Sequence, residues 1–152
     1  MRTEEKLSQM GHMLPATPLP AANYVTAVRT GALVFLSGHL PKRPDGSLIT
    51  GKLGQDVTMD QGYEGARFAA VSCLASLKAA IGDLDRVHRV VKVSCMVNCT
   101  AEFRDLAPVA NGASDLLVEL FEEKGRHARV AIGMQSLPMG ACIEIDMVVE
   151  TD

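Results

Sequence analysis

Arg129 is the residue from which chemistry can be argued most directly. It stands in the run Gly125-Arg126-His127-Ala128-Arg129-Val130-Ala131-Ile132-Gly133-Met134, whose alternation reads as a strand. On that pattern Ala128, Val130, Ile132 and Met134 share one face, and Arg129, Ala131, Gly133 and Gln135 the other. A guanidinium is permanently charged and carries five N–H donors in a planar fork. Beside small residues in an apolar sheet it needs a protein carboxylate or an anionic ligand, because burying it unpaired is costly. A second alternating run, Ile143-Glu144-Ile145-Asp146-Met147, supplies candidates. If the two strands form a hairpin, a turn centred between Ser136 and Leu137 sets Arg129 opposite Glu144, and a turn one residue later sets it opposite Asp146. One outcome is a cross-strand ion pair worth ~0.2–1 kcal/mol. The other is a clamp that takes a substrate carboxylate through two parallel hydrogen bonds. A neighbouring glutamate would then serve as acid, base or holder of a water.

The remaining chemistry-bearing residues form weaker patterns. Ser37 and His39 lie two apart and could share a face as nucleophile and base, but no acidic residue is spaced to orient the histidine and no G-x-S-x-G elbow exists. His127 either lines the mouth of a cleft near Arg129 or lies on the loop, while His12 and His88 read as surface residues. Asp83 and Asp85 belong to a helix-to-strand turn, not a metal loop. The four cysteines (Cys73, Cys95, Cys99, Cys142) form no C-x-x-C pair and sit in apolar patterns, as packed reduced thiols do. No glycine pattern resembles a phosphate-binding or dinucleotide loop.

The elements that must position these groups follow from periodicity and punctuation. A short helix is expected over residues 3–10 with Thr3 as its cap, then an extended Pro-rich connector over 14–20. Strands over 24–29 and 33–36 meet at Thr30-Gly31 as a hairpin, followed by a loop over 41–54 with a strandlet at 47–50. Thr58-Met59-Asp60-Gln61 is a capping box opening the longest helix, to about Ile81, with Gly82 closing it. Its stripe of Ala66, Ala69, Ala70, Cys73, Leu74, Leu77, Ala80 and Ile81 suggests close approach to a sheet. Residues 87–98 form a strand apolar on both faces, and therefore central. A second helix over 102–121 is irregular near Pro108 and Gly112. Strands over 128–135 and 142–150 end the chain.

The order β-β-α-β-α-β-β favours a two-layer α+β sheet with two main helices on one face. Residues 1–20 make the N-terminal helix and connector, and 21–152 a single domain. Leu33-Val34-Phe35-Leu36 runs without alternation, so the second sheet face should be buried between subunits. A net charge of −3, four Phe and two Tyr offer little to a nucleic acid. No apolar run approaches a membrane span, and the N-terminus, charged in both signs, leads into no signal-peptide core. The expected setting is cytoplasmic.

His127-Ala128-Arg129, the Leu137-Pro138 turn and Ile143-Glu144-Ile145 resemble the C-terminal signature of the YjgF/Rid family, also labelled endoribonuclease L-PSP. The resemblance extends through Ala27-Val28-Arg29-Thr30-Gly31, through Leu33-Val34-Phe35-Leu36-Ser37-Gly38-His39-Leu40-Pro41, and through Leu84-Asp85-Arg86-Val87, covering residues 21 to 150. Asn111-Gly112-Ala113-Ser114-Asp115-Leu116 is similar to a longer subgroup. The resemblance implies a chorismate-mutase-like fold assembled as a homotrimer with clefts between subunits. It further implies hydrolysis of enamine- or imine-type intermediates, derived from 2-aminoacrylate, to 2-keto acids and ammonia. In that scheme Arg129 holds the substrate carboxylate and Glu144 positions the attacking water. Tyr24 and Ser37 bind substrate from the first hairpin, and no metal or organic cofactor is implied. An alternative is a non-catalytic trimer binding small carboxylates; a ribonuclease fits the charge balance less well. Three positions depart from the family pattern. Val130 replaces a small polar residue, Ala131 stands where deaminase members often carry cysteine, and His39 replaces glutamine. Asn111 and Ser114 compete for the family's helix asparagine, and the substrate's identity stays open.

Overall fold

The computed structural model describes residues 2–17, 19–20 and 22–152. The elements run α1 (Arg2–Gln9), β1 (Ala27–Thr30), β2 (Leu33–His39), α2 (Met59–Ile81), β3 (Val87–Asn98), α3 (Leu106–Phe121), β4 (Ala128–Met134) and β5 (Ile143–Thr151). Pro18 of the expected connector lies outside the described residues. The architecture is α+β: a five-stranded mixed sheet in the order β1-β2-β5-β3-β4, with α2 and α3 packed on one face.

Local chemistry accounts for the boundaries. The capping box forms in both directions, Gln61 N–H donating to Thr58 Oγ1 at 3.1 Å and Thr58 N–H to Gln61 Oε1 at 2.9 Å. These bonds satisfy two of the donors that a helix start leaves unpaired. Along α2 the expected stripe is buried except for Ala80, which faces solvent. Gly112 explains how α3 reaches α2 so closely: a Cβ there would stand 1.9 Å from the Tyr63 carbonyl oxygen. The second helix begins at Leu106, later than the expected 102, with Pro108 in its first turn where the missing N–H costs nothing.

The last two strands do not form a hairpin. β4 pairs in parallel with β3, through Val93 with Arg129 and Cys95 with Ala131, whereas β5 lies antiparallel between β2 and β3. A parallel neighbour requires a long crossover, and α3 supplies it between β3 and β4. The connection from β4 to β5 then crosses the end of β3. There Asn98 N–H donates to the Cys142 carbonyl at 2.9 Å, and the Asn98 amide nitrogen to the Ala141 carbonyl at 3.1 Å.

β3 is interior, but the middle strand is β5. Nor is β3 buried on both sides. Val90, Val93, Cys95 and Val97 point under the helices, while Lys92 is exposed and Ser94 and Met96 are half-buried on the other face. A register shift between Val90 and Lys92 resets the alternation, so Val90 and not Val91 faces the core.

The face without helices is only partly polar. Val28 (54 % exposed), Phe35 (44 %), Val130 (37 %) and Ile132 (42 %) lie on it, with Lys92, Glu144 and Asp146 among them. No helix among the described residues is long and apolar enough to cross a membrane. All four cysteines are free, three of them buried and Cys99 half-buried.

Candidate functional site

Parallel pairing decides where Arg129 points. Its neighbour Val93 pairs in turn with Met147, so Arg129 shares the helix-covered face with Val93 and Met147. Glu144 pairs with Met96, and Asp146 with Ser94, on the opposite face. The expected same-face pairing of Arg129 with Glu144 or Asp146 therefore does not occur within one chain. β3 stands between β4 and β5, so no register can pair those two strands.

Arg129 instead meets α3. Its Nη1 donates to Asn111 Oδ1 at 2.8 Å and to Ser114 Oγ at 3.1 Å. Asn111 and Ser114 are three apart on a helix and so present one face. The two residues that competed for one role act together. The hydrogen-bond chain continues from Ser114 Oγ to His127 Nε2 at 2.8 Å, and from His127 Nδ1 to the Gly125 carbonyl at 2.6 Å. A carbonyl only accepts, so Nδ1 carries a proton, and the Ser114 oxygen accepts from the arginine. Both Nη1 protons are thereby used. The Nε and Nη2 donors, the edge that fits a carboxylate side-on, take no partner among the described residues, and Arg129 is in no ion pair there. Ala131 and Gly133 follow on the same face. Buried Cys95, paired with Ala131, has its thiol raised to about 11 by desolvation and is a poor nucleophile.

The other expected residues lie around the irregular end of β2. β2 carries an irregularity between Leu36 and His39 against β5, and this brings Gly38 under Glu144. A Cβ on Gly38 would be 1.9 Å from Glu144 Oε2, so the carboxylate rests where only glycine leaves room. Burial, and then the Asp146 charge, push the Glu144 carboxyl above its ordinary value. Ser37 Oγ donates to the Val25 carbonyl at 2.6 Å. Tyr24 and Ser37 line a cavity of about 300 Å³ with Gly38, His39, Leu40 and Met139.

His39 is not the base of a serine dyad. It is 3 % exposed, with Nδ1 donating to the Ser37 backbone carbonyl at 2.6 Å and Nε2 bonded to Ser76 Oγ of α2 at 2.7 Å. It ties the irregular end of β2 to the helix layer. His12, expected as a surface residue, is half-buried and accepts from Arg67 Nε at 3.2 Å. Asp85 accepts from the N–H groups of Arg2 and Thr3 and from the Thr3 hydroxyl, so the turn it occupies anchors α1.

One chain thus holds two separate clusters: an arginine fork held by Asn111 and Ser114, and a glutamate seated on Gly38 next to Ser37 in sequence. The sheet order and the helix pairing define a chorismate-mutase-like fold. The chain belongs to the family described as "YjgF/chorismate mutase-like, putative endoribonuclease", whose model matches residues 4–150. It is 46 % identical over 150 residues to Protein TCP17 of Trypanosoma cruzi, covering 98 % of this chain and 94 % of that protein. It is similar to the crystal structure of Atu1372 from Agrobacterium tumefaciens, a protein of unknown function, with 41 % identity, TM-score 0.92, and coverage of 99 % and 94 %. A Shewanella oneidensis structure named as an endoribonuclease of that tentative kind is 30 % identical, with TM-score 0.93 and coverage of 97 % and 98 %.

Proposed function

We propose that this protein hydrolyses small carboxylate-bearing imines, formed from enamines of the 2-aminoacrylate type, to 2-keto acids and ammonia. The observation that carries the reading is the Arg129 fork. Two of its donors are fixed by Asn111 and Ser114, and its carboxylate-binding edge takes no protein partner among the described residues. An imine carbon is already electrophilic, so holding the carboxylate and placing a water supplies much of the catalysis. Water adds to the imine carbon, a proton passes to nitrogen, and the C–N bond breaks to release ammonia and leave the ketone. Glu144, made more basic by burial, is the group to take the water's proton and return it to the departing nitrogen. Tyr24 and Ser37 would bind the substrate from the same side.

Because Arg129 and Glu144 face opposite ways in one chain, the reading requires copies to share a site. The apolar row on the open sheet face supports such an assembly, since an exposed patch of this kind is a normal subunit contact. We assign the assembly as a closed homotrimer, each cleft taking the Arg129 half from one copy and the Glu144 half from the next.

Ammonia release from an imine generated in situ tests the reaction. Wild-type protein should accelerate it over buffer, and Arg129→Ala should abolish the acceleration while the protein stays folded and assembled. No acceleration by wild-type protein would sink the reading. The absence of a side-chain nucleophile at Ala131 keeps a second reading in view, a carboxylate binder without turnover. Saturable benzoate binding by calorimetry that Arg129→Ala diminishes, without ammonia release, would favour it. Cleavage of RNA, suggested only by the names of relatives, is opposed by the net charge of −3.

A further inference from the structure

β3 and β4, the parallel pair, end together at Asn98 and Met134, and a cavity of about 600 Å³ opens there. It shares no lining residue with the 300 Å³ cavity beside Ser37. The loop after Gly51 is folded to bring one cation to it. The N–H groups of Gln55, Asp56 and Val57 all donate to the Lys52 carbonyl, at 3.2, 3.1 and 3.0 Å. The Asp56 carboxylate accepts from Lys52 N–H at 2.6 Å, so it is occupied by backbone. Leu53 N–H donates to the Asn98 carbonyl at 2.9 Å, and Thr100 N–H to the Leu53 carbonyl at 3.0 Å, fastening the loop to the end of β3.

The Lys52 ammonium donates to Asn98 Oδ1 at 2.7 Å and to the Gln135 carbonyl. Asn98 is 4 % exposed and locked by its own bond to Ala141. Both acceptors are neutral, and Lys52 is in no ion pair among the described residues. A fixed, half-buried ammonium without an anionic partner therefore has one N–H left beside an open cavity. Phe103, Met134 and Cys99 provide apolar walls; Gln55 and Thr100 provide neutral polar groups.

We propose that this cavity is a second ligand site, taking a small monocarboxylate with an apolar body. One cation among neutral donors matches a single negative charge, and a doubly charged phosphate ester would be left undercompensated. The volume lies within the range of small-molecule sites, about 300–1,000 Å³. The proposal does not depend on imine hydrolysis, because neither Arg129 nor Glu144 lines the cavity.

The test is calorimetric titration of hexanoate into the assembled Arg129→Ala protein, in which the first carboxylate site is removed. Saturable binding near one molecule per chain is expected, with hexanol giving none. Lys52→Met should weaken it at least tenfold. Gln55→Glu, at an exposed position that leaves the loop intact, should weaken it severalfold by setting a second negative charge at the rim, and it decides the matter if Lys52→Met fails to fold. No saturable binding in Arg129→Ala, equal binding of hexanol, or affinity unchanged by these substitutions would overturn the proposal. Imine turnover is not read in this experiment, so its success or failure leaves the reaction's own test separate.

Discussion

Arg129 and Glu144 stand on opposite faces of one sheet with β3 between their strands, the arginine under α3 and the glutamate over Gly38. Neither can reach the other's ligand within a chain. Under the proposed function, assembly is therefore part of the site's chemistry. Each half is nevertheless built locally, and each half can be tested by itself.

The link from Ser114 to Arg129 is the first to test. Ser114→Ala removes one of the two bonds that orient the guanidinium and leaves His127 without its partner. Benzoate affinity measured by calorimetry should fall by about 1 kcal/mol, roughly fivefold. Arg129→Ala should remove binding at this site altogether. A Ser114→Ala protein with wild-type affinity would show that Asn111 alone sets the fork.

Gly38→Ala addresses the other half. The new methyl group would occupy the place of the Glu144 carboxylate oxygen, and a side-chain tip can move where backbone could not. Turnover should drop by at least about tenfold with little change in melting temperature, as expected for a misplaced group. A fully active, folded Gly38→Ala protein would remove Glu144 from the mechanism.

Stability should carry a signature of His39. Burial lowers its affinity for a proton below that of the unfolded chain, whose value is 6.5, against a smaller opposing effect of the Ser37 carbonyl. The folded state binds this proton less tightly, so its contribution is complete above 6.5 and is lost as pH falls through the lower folded value. His12 is shifted in the same direction, by burial and then by Arg67, and adds to the trend. Melting temperature should therefore decline on acidification below neutrality, and His39→Gln should flatten part of that decline. An unchanged pH profile in His39→Gln would contradict the assignment.

Gly112→Ala tests the helix layer. Its methyl group would meet the Tyr63 carbonyl oxygen, which is backbone and cannot step aside without parting α2 from α3. Destabilisation of about 1–3 kcal/mol or more is expected in chemical denaturation. A neutral effect would mean that α2 and α3 leave room for a methyl group at this crossing.

Sequence patterns made some of this visible and hid the rest for definite reasons. The capping box at Thr58 and Gln61, the closing Gly82 and the span of β3 are local features, and they stand where the residues place them. Strand alternation also sorted Arg129, Ala131 and Gly133 from Val130 and Ile132. Alternation says nothing about which strand lies next door. The short Leu137-Pro138 connection suggested a hairpin, and the crossing over Asn98 that separates β4 from β5 depends on contacts distant in sequence. The partnership of Asn111 and Ser114 could have been found from their three-residue spacing, once α3 was seen as the crossover between two parallel strands. The inward turn of His39 could not, because its partner Ser76 lies 37 residues away.

In the proposed assembly each site takes Arg129 from one copy and Glu144 from another. Arg129→Ala and Glu144→Gln proteins, each inactive alone, should be unfolded together in equal amounts and refolded as mixed assemblies. If every site draws its two halves from different copies, about one site in four receives both intact residues, and imine hydrolysis should return to roughly a quarter of the wild-type rate. Mixed assemblies that form but remain as inactive as their parents would contradict the shared site.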